Sequence, residues 1–179
     1  MTGDAMGPGV AGGDAAGPDT AAGDAAGPDT AAGDAAWDGE PAPARDVVLL
    51  VDAANVVGAR PDGWWRDRAG AATRLLARLA GLPGRVVAGS AGEPWRVERV
   101  EVVLEGRARD AVPPEGDGLH VHRAPRDGDA EVVLRAAGAG SGLVVVTADR
   151  GLRARLPGVA AVGPGWLHAV LDADVDPGQ

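Results

Sequence analysis

The stretch VVLLVDAANVVGARPDGWWRDR, Val47–Arg68, decides the fold. Its five leading residues, Val47 to Val51, form an apolar run too short for a well-formed helix and rich in valine, which reads as a strand buried on both faces. The run ends in Asp52. A carboxylate placed after such a strand lies at the carboxyl edge of a parallel sheet, where open α/β folds keep their ligand crevice; the alternative for Asp52 is a turn cap. If Ala53 and Ala54 curl as one helical turn, Asn55 can converge with Asp52 on one metal ion or phosphate; otherwise Asn55 forms an Asx turn.

Upstream of this strand the chain changes character. Residues 1–44 of the 179 repeat with a ten-residue period in Ala, Gly, Pro and Asp, as in GDAAGPDTAA, and carry one aromatic side chain, Trp37. Such a composition cannot bury enough surface to offset chain entropy, so a disordered acidic tail is expected, distinct from a solenoid repeat and from a signal peptide. Disorder is also expected for 175–179, leaving one domain over 45–174. The tail holds eight of the 26 acids and no base, leaving the rest nearly balanced, 18 acids against 17 arginines with no lysine. The low overall pI therefore does not argue against a nucleic-acid partner. With no cysteine, disulfides, zinc–thiolate sites and thiol catalysis are excluded. No segment approaches the roughly 20 apolar residues of a membrane span, so a cytoplasmic protein is the expectation.

Downstream, a loop is expected over Val57–Gly63 with Pro61-Asp62-Gly63 as its turn, Trp64 and Trp65 lead a helix, and Ala72, Leu75, Leu76 and Leu79 recur at helical spacing over Asp67–Leu79. Val86–Trp95 holds a short strand and a hairpin-like loop, and RVERVEVVLE, Arg96–Glu105, is the second main strand. LHVHR (Leu119–Arg123) is a third, followed by a helix over Ala130–Ala137, a buried strand LVVV (Leu143–Val146), a short helix to Leu156, a strand Val159–Val162 and a last helix Trp166–Leu171. This β-α-β-β-α-β-α-β-α order implies a mostly parallel central sheet flanked by helices on both faces.

Asp52 and Asp149 follow buried strands, Glu105 follows another, and Asp129 opens a helix, so all four can meet at one sheet edge. Unpaired, they would repel one another; a hard divalent cation, Mg²⁺ or Mn²⁺, neutralises them, polarises a phosphoryl oxygen and activates water. Metal-dependent phosphodiester hydrolysis follows as the hypothesis. The competing reading is that Asp129 and Asp149 cap helices, and that Glu105 and Glu131, as strand-end and helix-face acids, are merely solvated. Trp64 and Trp65 either pack at a helix start or stack on bases. His120, His122 and His168 are too dispersed for a zinc site. Arg60, Arg66 and Arg68 flank the first motif and Arg150, Arg153 and Arg155 the last, where they can hold phosphates or serve surface ion pairs.

The motifs VDAANVVGARPDGWWRDRAGAATRLLARL, DGDAEVV and VVVTADRGLRARL, in that order, resemble the NYN branch of the PIN-like ribonuclease superfamily, especially its YacP-like relatives. The resemblance spans nearly all of residues 47–171 and implies a three-layer, Rossmann-like PIN fold with metal-dependent endoribonuclease activity. It implies Asp52, Asp129 and Asp149 as catalytic metal ligands and matches Asn55 and Thr147 within the same motifs; beside it, Glu131 is a candidate further ligand, and Asn55, Thr147, Arg60, Trp64 and Arg150 are the expected substrate-binding residues. RNA is the implied substrate, and a homo-oligomer is left open. In related sequences the central motif often has two adjacent acids, whereas here Ala130 separates Asp129 from Glu131, so Glu131 or Asp127 replaces a ligand or a single metal is held. Two other functions fit the same acids: a nucleotide (NTP) pyrophosphohydrolase, which needs a closed pocket, and a catalytically weak RNA- or protein-binding module. A receiver-like phospho-acceptor domain would want a lysine, which the chain lacks.

Overall fold

A computed structural model describes residues 43–173. The expectations for the repeat tail, other than its last two residues, and for 175–179 lie outside the described residues.

The strand at the head of the deciding stretch is β1, Arg45–Asp52, and it is central in the sheet. After it come α1 (Ala53–Gly58), a 3-10 turn (Trp64–Arg66), α2 (Arg68–Leu79), β2 (Val86–Ala88), β3 (Pro94–Leu104) and a second 3-10 turn (Gly106–Asp110). β4 (Leu119–Arg123), α3 (Gly128–Gly138), β5 (Leu143–Val146), α4 (Arg150–Ala154), β6 (Ala160–Val162) and α5 (Pro164–Ala173) complete the order. The strands pair as β2-β3-β1-β5-β6, with β4 also on β3. Every pairing is parallel except β2 with β3, which is an antiparallel hairpin. β3 is long enough for two neighbours on its outer side: β2 covers Pro94–Arg96 and β4 covers Val100–Leu104.

Alternate residues of β1 feed two cores, as period-two geometry requires. Val47, Leu49 and Val51 pack with Val56, Leu76 and Leu79 and with Leu167 and Leu171 of α5. Val48 and Leu50 pack on the other side with Val132 and Ala136 of α3 and Leu152 of α4. Helices therefore cover both faces, giving the three-layer α/β architecture. β3 shows why its alternation was hard to read: Trp95 and Val97 join the first core, but so do Val100, Val102 and Leu104. The register against β1 slips after Val97, and this bulge reverses which face each later residue meets.

Two local expectations are corrected. Trp64 and Trp65 form a separate 3-10 turn, because the Asp67 carboxylate takes the N-cap of α2 and accepts a 2.8 Å hydrogen bond from Gly70 N–H. The expected loop from Val57 starts later, since α1 continues to Gly58. No helix among the described residues is long and apolar enough to cross a membrane.

Candidate active site

The site is built at the carboxyl ends of β1, β3 and β5. Val51 pairs with Val146, which puts Thr147 level with Asp52, while Asp52 pairs with Val103, two residues before Glu105. Parity then aims the side chains. Leu50, Val103 and Val145 all belong to the core under α3 and α4, so Asp52, Glu105 and Thr147, each two residues on, face that same side at the sheet's edge. The N-terminus of α3 brings Asp127 and Asp129 to this side.

Asp52 is half-buried and held from two directions. Its Oδ1 accepts from Asn55 N–H at 3.2 Å, capping α1, and its Oδ2 accepts from the Thr147 hydroxyl at 3.0 Å. Thr147, fully buried, in turn accepts from Asp149 N–H at 3.1 Å through the same hydroxyl oxygen. The Asn55 Oδ1 accepts from Ala148 N–H at 2.7 Å, and Arg153 donates to the Thr147 carbonyl, its Nε at 3.0 Å. The Thr147-Ala148-Asp149 segment is thus clamped to β1 and α1. Asp149 Oδ1 caps α4, accepting from Leu152 N–H at 2.8 Å.

The acids act on one another. Burial pushes the Asp52 carboxyl above its usual pKa; its hydrogen bonds from Asn55 and Thr147 oppose this, and the charges of Asp129 and Glu105 add to the rise. Asp129 is likewise raised, first by burial and then by Asp149, Asp127 and Glu105, with Arg155 opposing. Glu105 Oε2 accepts from Gly128 N–H at 3.0 Å, which fastens the end of β3 to the start of α3. The four acids named from the sequence therefore share one electrostatic neighbourhood, with Asp127 added. No three His, Asp or Glu side chains among the described residues are grouped tightly enough to cage an ion. The donor chemistry nonetheless suits Mg²⁺ or Mn²⁺: hard carboxylate oxygens, two of them made reluctant to ionise by their surroundings and by like charge, which a divalent cation relieves.

The other candidates divide between this edge and more distant places. Glu131 pairs with Arg135 one turn along α3, at 2.7 Å. Arg60 pairs with Asp172 of α5, which Arg78 also reaches at 2.6 Å. Arg150 is exposed at the start of α4, and Arg155 lies 3.6 Å from Asp129. Trp64 lines a cleft of about 150 Å³ that also touches Ala53, Ala54 and Glu105, and so adjoins the acids. The Thr147 hydroxyl and Asn55 Oδ1 are engaged with Asp52, Asp149 and Ala148, so both side chains help to hold the segment in place. Sequence reasoning missed Arg153 as part of the clamp. His122 turns to Glu101 at 3.1 Å, while His120 is exposed.

No protein-family model matches the chain, and no curated protein matches it in sequence. Among solved structures, its fold is similar to that of a tryptophan-to-leucine mutant of Rae1 (YacP) from Bacillus subtilis, at a TM-score of 0.50 and 18% sequence identity, covering 71% of this chain and 76% of that one. The three-layer α/β fold expected from the sequence, with its mostly parallel sheet, is consistent with this neighbour.

Proposed function

We propose that the chain is a metal-dependent endoribonuclease of the YacP-like NYN type that hydrolyses RNA phosphodiester bonds at the carboxyl edge of its sheet. The observation that carries this reading is the gathering of Asp52, Glu105, Asp129 and Asp149 at that edge, where the Thr147 hydroxyl links Asp52 to Asp149 N–H, Glu105 holds the start of the helix that carries Asp129, and the neighbouring carboxylates help to raise Asp52 and Asp129. The sequence resemblance and the fold similarity to Rae1 (YacP) support the same branch by separate routes.

In this reading Asp52, Asp129 and Asp149 hold Mg²⁺ or Mn²⁺, with Glu105 better placed than Glu131 to complete the set. When bound, such an ion polarises a phosphoryl oxygen and makes a bound water more acidic. The chain's own residues do the positioning. The Thr147 hydroxyl and Asn55 N–H fix the orientation of the Asp52 carboxylate, so its ligand geometry does not have to be assembled during binding. Asn55 and Arg153 hold the segment that carries Asp149.

The test is incubation of the full chain with an end-labelled single-stranded RNA and, separately, with nucleoside triphosphates, in Mn²⁺ and in chelator. Internal cleavage that needs metal and is lost in Asp52→Asn supports the nuclease; triphosphate turnover without RNA cleavage replaces it with the pyrophosphohydrolase. One observation favours a second reading, a catalytically weak RNA-binding module: Arg155 lies 3.6 Å from Asp129 and supplies a cation from the chain itself. RNA binding without turnover of either substrate selects that reading.

A further inference from the structure

The cleft beside Glu105 does not end at Trp64. A larger hollow of about 570 Å³ adjoins it, and Arg68 and Gly106 line both. Trp65, Arg66 and Arg107 line the outer hollow. The two tryptophans meet edge to face, centroids 6.2 Å apart and planes at 83°. Arg68 lies over the Trp64 ring, 5.3 Å from its centroid, whereas Trp65 remains 53% exposed. An indole left in water forgoes a large apolar contact area unless a flat partner covers it.

The cations around this ring also lack carboxylate partners. Arg60, Arg78, Arg96, Arg99, Arg135 and Arg155 each have a carboxylate within 4.0 Å, but Arg66, Arg68 and Arg107 have none among the described residues. Asp67 and Asp110 line the same hollow, and the Asp67 carboxylate is occupied in capping α2. The balance on this surface is positive, in contrast to the acidic edge it leads to.

We infer that this trough binds single-stranded RNA, with a base stacked on Trp65 and its flanking phosphates held by Arg66, Arg68 and Arg107, and that it feeds the strand to the acids. This deepens the ribonuclease reading and rests on it for the direction of the strand. A duplex cannot use such a surface, because its base faces are already covered by their neighbours. A single strand offers both a bare base face and a flexible row of phosphates that the arginines of the same hollow can hold.

The experiment is fluorescence anisotropy of a labelled mixed-sequence RNA, single-stranded and as a duplex, titrated with the full chain in chelator so that no turnover intervenes. The single strand is expected to bind more tightly than the duplex. Trp65→Ala is expected to weaken it roughly tenfold, and Trp65→Phe to restore most of the loss. Replacing Arg66 and Arg107 together by Ala should flatten the slope of log affinity against log salt by about 1.4. Duplex binding as tight as single-strand binding overturns the inference, as does unchanged affinity in both the Trp65→Ala and the double arginine variants. The same RNAs in Mn²⁺ separate the two readings. Binding with these features but no metal-dependent cleavage removes the nuclease and leaves the trough. Cleavage of dilute RNA at the wild-type rate by Trp65→Ala and the arginine variants removes the trough and leaves the nuclease.

Discussion

Replacing Thr147 by valine tests how the site is held. The change keeps the shape of a fully buried side chain and removes one hydroxyl, which now donates to Asp52 Oδ2 at 3.0 Å and accepts from Asp149 N–H at 3.1 Å. A hydrogen bond to a charged group contributes about 1.5–3 kcal/mol, and leaving Asp149 N–H to find water adds less than about 1. A loss of about 2–3 kcal/mol near neutral pH is expected, or about 8 °C in Tm for a domain of this size. The pH dependence is the sharper readout. The Thr147 hydroxyl favours ionised Asp52, whose pKa burial already raises. Removing it raises the folded-state pKa further, so the variant takes up a proton at a pH where the wild type does not. The stability gap is therefore widest above that pKa and narrows as pH falls through it. Thr147→Ser is the control: it keeps the hydroxyl, loses one methyl group, and costs about 1 kcal/mol at every pH. Urea unfolding of the full chain across mildly acidic to neutral pH measures all three. A gap for Thr147→Val that is flat, or that widens toward acid, refutes the reasoning.

Three further outcomes follow from the clamp and the acids. Asn55→Ala removes the 2.7 Å bond from Ala148 N–H and should cost about 1–2 kcal/mol, with faster hydrogen exchange at Ala148. Gly128→Ala would place a Cβ 2.6 Å from Glu105 Oε2, so Glu105 must swing away; stability should change by less than about 1 kcal/mol while Mn²⁺ affinity, read by calorimetry, falls several-fold. Because Asp52 and Asp129 are both raised above the ordinary carboxylate value, protons should displace Mn²⁺ at a higher pH than they would from unperturbed acids, which calorimetry at stepped pH measures.

The frame of the fold was legible because β1 and β5 are unbroken valine-rich runs, and because the apolar spacing of α2 has one helical phase. The parallel edge that collects Asp52, Glu105, Asp129 and Asp149 follows from that frame. What stayed hidden depends on partners far apart in the chain. The Thr147 hydroxyl reaches a carboxylate 95 residues away and Asn55 reaches an amide 93 residues away, so neither could be told from a substrate-binding group by its neighbours in sequence. Glu131 stands in the expected central motif, yet its i,i+4 partner Arg135 takes its carboxylate, a local pairing that helical spacing alone could have flagged. Glu105 reads from its neighbours as an ordinary solvated strand-end acid, and only the approach of α3 brings it to Gly128. The bulge after Val97 does leave a mark, the consecutive polar pair Glu98-Arg99 between Val97 and Val100, which a reading of β3 as one alternating strand passes over.

The most direct measurement of the central claim is thermal unfolding of the full chain against Mn²⁺ concentration, for the wild type, Asp52→Asn and Asp149→Asn. A metal bound by these acids stabilises the folded state by about 2.7 kcal/mol at a hundredfold excess over Kd. The account predicts a Tm that climbs with Mn²⁺ in the wild type and stays flat in both variants, whose metal-free folds are as stable as the wild type or, for Asp52→Asn, more so. A wild-type Tm indifferent to millimolar Mn²⁺, or an equal climb in Asp52→Asn, would contradict it.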